Sequence, residues 1–556
     1  MKYKKSQTGP AVVRKSRRVE EQRKASFYVE EIFYYLFFAI LLFAKGIGLY
    51  DGMKEFTVCL LAAFLCFAVK VCLTEHTLGE LIQMVVLLGI GFLSWQSSGE
   101  KAAFIYLAVI VGMKHVPVKR VFKVGAVVWT VAFFGTVMLA LTKQIPDLAL
   151  VHSKLGLGHI IRWSLGYTHP NVLHISYVIL LAFFFYLARL DRRQLFILTG
   201  VAYLFNFYIF LYSVSYTGLI LTTVYLLLNL YFNLRTRESR LEKILIMCVF
   251  PVCALLSVIG PVAVKGRMFD ILNKLMNTRW NLSRYFLTHQ PITLFGSRLT
   301  DLPDTSYSID CSYVYVLMYY GILLFVLMCV GYFLTVRYEI KEGKRRELAI
   351  MLSFFIAGMS EPFMANLSFK NLTLLFVGEY YYHAVPFWQK GAVGRLAGRT
   401  VRLTPWAEKE IRIPLPEWKG LRGLPVRLKG KYPKIAAAGI AAALLAGGIY
   451  YFAAKPADCV YVDKGFSDYW PGETAYPDAS ELPDDWNGII IGSADGGTEM
   501  YVLTGNIVWL EQVREAVSIG LGVGILVVIV TGFLGARPGN TGRKKRACHD
   551  KNSDGK

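Results

Sequence analysis

Residues 265–310 carry Lys265, Arg267, Lys274, Arg279, Arg284 and Arg298 against Asp270, Asp301, Asp304 and Asp310. Arginine suits bidentate contact with phosphate, so such a group beside a bilayer would fit an anionic lipid head group or a diphosphate. Arg279 and Arg284 are five residues apart on an expected amphipathic helix over 277–287, about 140° round its axis, and share a flank only loosely. Interfacial snorkelling of long basic side chains is the competing reading. A second group is the run Arg162-Trp163-Ser164-Leu165-Gly166-Tyr167-Thr168-His169-Pro170-Asn171. Four of the nine histidines (His152, His159, His169, His174) crowd it, which raises zinc. No cysteine joins them, and their spacing does not place three ligands on one helix face. No metal is expected. Pro170-Asn171 also reads as a helix start, with Pro fixing the turn and Asn near the cap. Residues 213–218 cluster hydroxyls, which more often join helices than bind ligands. Glu361 and Glu379, with Asn366 and Asn371, are intramembrane candidates by default. The chain has no phosphate-binding P-loop, no Gly-rich dinucleotide loop and no outward D-x-D. That argues against ATP-driven export and metal-chelated sugar nucleotides, and no cofactor is expected.

Composition dictates the elements that must position these residues. Of 556 residues 55% are apolar and only 18% charged, with mean hydropathy +0.43, whereas soluble chains carry about 25% charged residues. The net charge of +22 raises nucleic acid as a partner. That is rejected because the basic residues lie in clusters between apolar runs, as cytoplasmic loops keep them. A ruler of about 20 apolar residues per crossing predicts an all-α polytopic membrane protein with spans near 31–50, 54–73, 79–97, 101–117, 121–142, 172–190, 194–212, 215–233, 243–264, 311–336, 347–366, 369–388, 434–453 and 514–535. With the N-terminal arm inside, 44 of the 61 basic residues fall on the cytoplasmic side. Both termini are then cytoplasmic in a cell membrane. The arm and first run read as a cytoplasmic segment and a spanning helix rather than a cleavable signal. The division is a basic arm (1–30), a membrane core (31–388) with external loops 143–171 and 265–310, and a basic linker (389–433). A two-helix appendix (434–535) and a basic tail (536–556) follow. The appendix's external stretch, 455–513, is acidic: eleven Asp/Glu fall within 458–511. It reads as a solvated spacer or as a binder of sugar or a basic partner. The nine cysteines form no C-x-x-C pair and read as small buried hydrophobes.

Several of these features recur in order along 150–388: Leu165-Gly166-Tyr167-Thr168-His169-Pro170-Asn171, the hydroxyls of 213–218, Thr278-Arg279-Trp280, Arg284, residues 291–296, Asp310-Cys311-Ser312-Tyr313 and Tyr320-Gly321-Ile322. Together they look like the O-antigen polymerase/ligase superfamily, in its capsule and exopolysaccharide repeat-unit polymerase branch. The resemblance implies a GT-C-like core of about twelve helices and a glycosyltransferase acting outside the membrane. Its donor would be a polyprenyl-diphosphate-linked oligosaccharide, with membrane lipid and the chain-length or export proteins of the same pathway as partners. It implies Arg279 and Arg284 on the diphosphate, Arg298 and Arg162 as further substrate contacts, Asp310 or His289 as acceptor base, and His169 and Asn171 shaping the sugar site. Ligase relatives place a His-Asn pair about where Asp310-Cys311 stands. A ligase moving finished glycan to another acceptor, and a transporter or flippase, are the alternatives. The appendix lies outside the resemblance.

Overall fold

A computed structural model describes residues 26–154, 158–300, 302–303, 307–384, 397–405, 412–414, 432–453, 460–463, 488–491, 500–503 and 506–536. Nearly all of the basic arm, the tail, most of the acidic stretch, Asp301 and Asp304 lie outside these residues. The helices are α1 (Val29–Gly46), α2 (Lys54–Leu73), α3 (Leu78–Ser98), α4 (Ala102–Val111), α5 (Val118–Leu141), α6 (Pro170–Leu187), α7 (Arg192–Ser213), α8 (Tyr216–Leu234) and α9 (Arg240–Val258). Then come α10 (Gly266–Leu275), α11 (Arg279–His289), α12 (Ser312–Glu342, with a π turn at Val316–Tyr320), α13 (Arg345–Ala357), α14 (Thr373–Ala384), α15 (Tyr432–Ala453) and α16 (Asn506–Ala536).

Local chemistry sets the helix ends. α3, α7 and α9 start on reciprocal capping pairs, Thr77/Glu80, Asp191/Gln194 and Ser239/Glu242, which satisfy orphan backbone N–H groups. α3 and α12 stop at left-handed Gly99 and Gly343. Among the described residues nine helices are long and apolar enough to cross a membrane: α2, α3, α5–α9, α12 and α15. On α2, Val58, Leu61 and Leu65 lie at i, i+3 and i+7, each about two-thirds exposed, an apolar stripe that only lipid or another apolar surface could cover. The protein is a polytopic helical membrane protein.

Three expected spans take other forms. The stretch 101–117 forms only the ten-residue α4, whereas 31–50 forms the 18-residue α1, with Glu30, Glu31 and Lys45 in its end turns, and 514–535 lies within α16. The stretches 347–366 and 369–388 form α13 and α14, of 13 and 12 residues. At about 1.5 Å per residue these rise roughly 20 and 18 Å, short of a hydrocarbon core of about 30 Å. Between them 358–372 is irregular, with one 3-10 turn at Pro362–Met364. Pro362 has no N–H to continue a helix, and irregular backbone at such depth must be enclosed by protein. It is enclosed: Phe363, Met364, Ala365, Phe369, Lys370 and Leu372 are buried. Its freed carbonyls are taken up by Tyr106 (to Asn366 O), Tyr320 (to Ala365 O) and Asn371 (to Met364 O, 2.7 Å).

The chain divides into two compact units, the body (1–150, 162–414 and 466–476) and a second unit (151–161, 415–465 and 477–556). Within the body, strand β1 (Ser26–Tyr28) pairs antiparallel with β6 (Arg412–Pro414), and β2 (His76–Thr77) with β5 (Thr400–Val401). Arg402 pairs with Glu75 at 2.6 Å, and the Thr404 hydroxyl donates to Cys72 O at 2.9 Å. These residues of the expected linker are thus part of the body. Strands β3 (Ala149–Lys154) and β4 (Gly158–Trp163) form a hairpin. In the second unit α15 and α16 pack through small residues, so closely that a Cβ on Gly447 would lie 2.8 Å from Ala516 O. Strands β7 (Val460–Asp463), β8 (Gly488–Ile491) and β9 (Met500–Leu503) form an antiparallel sheet in the order β7-β9-β8.

Candidate substrate site

Stretches far apart in sequence meet at one buried charged cluster. Arg162, from the end of β4, is buried; its Nε donates to Ser213 O at 2.8 Å and its Nη2 to Asn171 Oδ1 at 2.7 Å. Asn171 Nδ2 lies 3.5 Å from Glu361 Oε1, the same oxygen that accepts from Arg279 Nη2 at 3.3 Å. Arg279 Nε stands 3.4 Å from Asp310 Oδ2 without hydrogen-bond geometry, so this buried donor is unsatisfied. The Ser312 hydroxyl donates to Glu361 O at 2.6 Å, tying the start of α12 to the irregular segment. Lys370, also buried, has its ammonium 5.9 Å from the Trp129 ring and interacts electrostatically with Glu361. Arg162, Arg279 and Lys370 thus surround Glu361, and Arg279 also faces Asp310.

Backbone turns aim these groups. Asn277 and Thr278 are consecutive left-handed residues, with φ of 51° and 65°. They bend the chain from α10 into α11, so that Arg279 becomes the first residue of α11. For β-branched Thr278 that conformation is strained. Leu165 and Gly166 make a second left-handed turn (φ 49° and 82°). Asp147 Oδ1 secures it, accepting from the Ser164 hydroxyl at 3.2 Å and Gly166 N at 3.3 Å. Burial pushes the Asp147 carboxyl up, against the pull of these hydrogen bonds. It likewise lowers the Arg162 guanidinium to about 10, still charged at neutral pH. Asp310 is raised by burial, with Arg279 opposing.

The expected site residues separate into three places. Arg162, Asn171, Arg279 and Asp310 come together. His169 stands at the start of α6, where its Nδ1 accepts from Asn171 N at 3.1 Å; the cap is the histidine rather than the asparagine. Arg284 is elsewhere: its Nε and Nη2 donate to the carbonyls of Pro261 (2.6 Å) and Val264 (2.5 Å), and its guanidinium lies 3.7 Å over the Phe269 ring. His289 stacks on Tyr285 with centroids 4.7 Å apart. Arg284 and His289 line a separate cavity of about 380 Å³ with Lys265, Asn281, Tyr285 and Tyr307. Arg298 is exposed beside Gly99. His174 is wholly buried, its ring nitrogens bonded to Ser213 Oγ (3.1 Å) and Asn206 Oδ1 (2.7 Å). Gly218 abuts that ring. The hydroxyls of Ser213 and Ser215 therefore serve internal bonds. The side chains of His152 and His159 lie outside the described residues. Among the described residues no three His, Cys, Asp or Glu side chains converge as a metal site.

Glu361 carried a sequence signal, a carboxylate in an apolar run; Lys370 and Ser312 carried less. The charged pair Glu361 and Lys370, nine residues apart and each beside Pro or Asn, was the available mark of a broken helix. No family model, curated protein or solved structure matches this chain.

Proposed function

We propose that the chain is a membrane glycosyltransferase that polymerises polyprenyl-diphosphate-linked oligosaccharide repeats, with a GT-C-like core and its site on the extracytoplasmic side. The observation that carries this reading is Arg279, a buried guanidinium with an unsatisfied Nε between two carboxylates. In the reaction an acceptor hydroxyl attacks the anomeric carbon of the donor. The bond from that carbon to the phosphate oxygen breaks, the diphosphate leaves on its polyprenyl carrier, and the acceptor proton passes to a base. Cations aimed at the departing diphosphate lower the barrier, a role for Arg279 with Arg162 and Lys370 behind it. Of the two expected bases, half-buried Asp310 stands at the cluster and His289 does not. Asp310 is therefore assigned as base, with Asn171 and His169 shaping the sugar site. Both termini inside remain the proposed orientation.

A transporter is the second reading, favoured by one observation: the break at 358–372 resembles the discontinuous helices that line transport sites. One experiment separates them. Purified protein reconstituted in vesicles is given a lipid-linked repeat unit. A ladder of longer glycans supports polymerisation; translocation of unchanged repeat units with no ladder overturns it in favour of transport.

A further inference from the structure

Helix α10 has an unpartnered apolar face. Met268, Ile271 and Leu275 fall at i, i+3 and i+7, and all three are exposed, Leu275 at 76%. Phe269 turns the other way and is buried, with its ring near Trp280. Helical geometry puts Arg267 and Lys274, seven residues apart, within about 20° of each other on one flank of the exposed stripe. Neither makes an ion pair among the described residues, although Asp270 lies four residues before Lys274. Beside the start of α10 opens the cavity of about 380 Å³ already described, lined by Lys265, Asn281, Arg284, Tyr285, Thr288 and His289 among others. Among the described residues no carboxylate lines it and Lys265 makes no ion pair. An exposed apolar stripe flanked by uncommitted cations, in a chain that spans a bilayer, has the form of an interfacial helix.

We propose that α10 lies in the leaflet next to loop 265–310 and that the adjoining cavity holds the phosphate of an anionic phospholipid head group. Met268, Ile271 and Leu275 seat among the acyl chains. Arg267 and Lys274 reach up the flank to the head groups. Lys265 and the unused donors of Arg284 face the phosphate in the cavity, with Asn281 and Thr288 as neutral donors. The ligand is a diester phosphate carried by lipid, not the donor diphosphate, so the site is independent of the charged cluster at Glu361.

The test uses the full-length protein in nanodiscs of zwitterionic lipid, with and without a third of phosphatidylglycerol. Lipid retained after transfer to detergent is counted by native mass spectrometry, and thermal stability is followed in parallel. The expected result is selective retention of phosphatidylglycerol and a higher Tm in its presence. Since each cation near an anionic surface strengthens attachment by roughly fivefold, the variant Lys265→Gln/Arg267→Gln/Lys274→Gln should lose retention by tenfold or more. These side chains are exposed, so that variant should fold. A second variant, Met268→Ser/Ile271→Ser, should weaken retention with the charges intact. Inorganic phosphate and pyrophosphate are the comparison ligands in zwitterionic discs. If either reproduces the shift, the site is one for free anions and the lipid assignment is overturned. Equal retention of both lipids, or no change in the charge variant, overturns it as well.

Discussion

Arg279 and Arg284 stand five residues apart and have different neighbours, so the same substitution should read differently at each. Arg279→Ala removes the cation between Asp310 and Glu361. If Arg279 stabilises the departing diphosphate in the transition state, turnover should fall by roughly 100-fold or more. Arg279→Lys should recover little, because an ammonium lacks the fork that bridges two carboxylates. Arg284→Ala instead orphans the carbonyls of Pro261 and Val264, at a cost of about 1–3 kcal/mol, with a smaller effect on turnover per folded molecule. Glycan yield normalised to folded protein, measured beside Tm, checks both. Asp310 adds a pH signature. Its folded pKa is raised, first by burial, so the protonated form suits the folded state. The stability it contributes is fully present below the ordinary aspartate pKa of about 3.9 and is lost as pH rises through the folded value. A base must be deprotonated, so turnover should rise over that same window while stability falls. Asp310→Asn should abolish both trends; a variant that keeps the acid limb of the rate profile would remove Asp310 as base. The sequence exposed the arginines as candidates. It could not separate them, because their roles depend on which carbonyls and carboxylates the fold brings near.

At the scale of elements, apolar run length located the long helices well and the short ones poorly. A run counts apolar residues, but whether it stays helical depends on where the backbone finds partners. In 358–372 the partners are Tyr106, Tyr320 and Asn371, reached only in the folded bundle. The approach of Gly296 to α12 was equally hidden: its Cβ would lie 1.9 Å from Tyr319 O. Gly296→Ala should therefore destabilise the loop that leads towards Asp310 by more than a typical surface change, on the order of 3 kcal/mol or more. A fall in Tm and faster proteolysis of 291–310 would register it. The left-handed Thr278 gives the opposite expectation. Thr278→Gly relieves strain of about 1–3 kcal/mol, partly offset by a more flexible unfolded chain. Tm should hold or rise, whereas a clear fall would mean that the Thr278 side chain, not the turn, holds Arg279 in place.

At the scale of the whole molecule, clustered basic residues gave a consistent expectation for which ends of the helices face the cytoplasm. They gave no hint that part of the stretch 389–433 folds back onto the body. That contact is made by backbone pairing over two short strands, too brief to leave a period in the sequence. Truncation should be sensitive to it. A chain ending after 414 keeps β5 and β6 and should yield more inserted, protease-resistant body than one ending at 390. Equal yields would make the pairing dispensable. Val151–Ile161 groups with the second unit, and Arg514 there is buried and donates to Ile161 O at 2.6 Å. Even the better truncation should therefore loosen the hairpin that carries Arg162. The pairing of Ser26 with Pro414 has a further meaning for connectivity. Opposed residues in antiparallel strands can be closed by a two-residue loop such as Asn-Gly, so the outer ends of β1 and β6 lie one hairpin turn apart. Such a turn from Pro414 to Ser26, with new termini cut between Arg235 and Ser239, would give a circular permutant in which each body helix keeps its neighbours and direction.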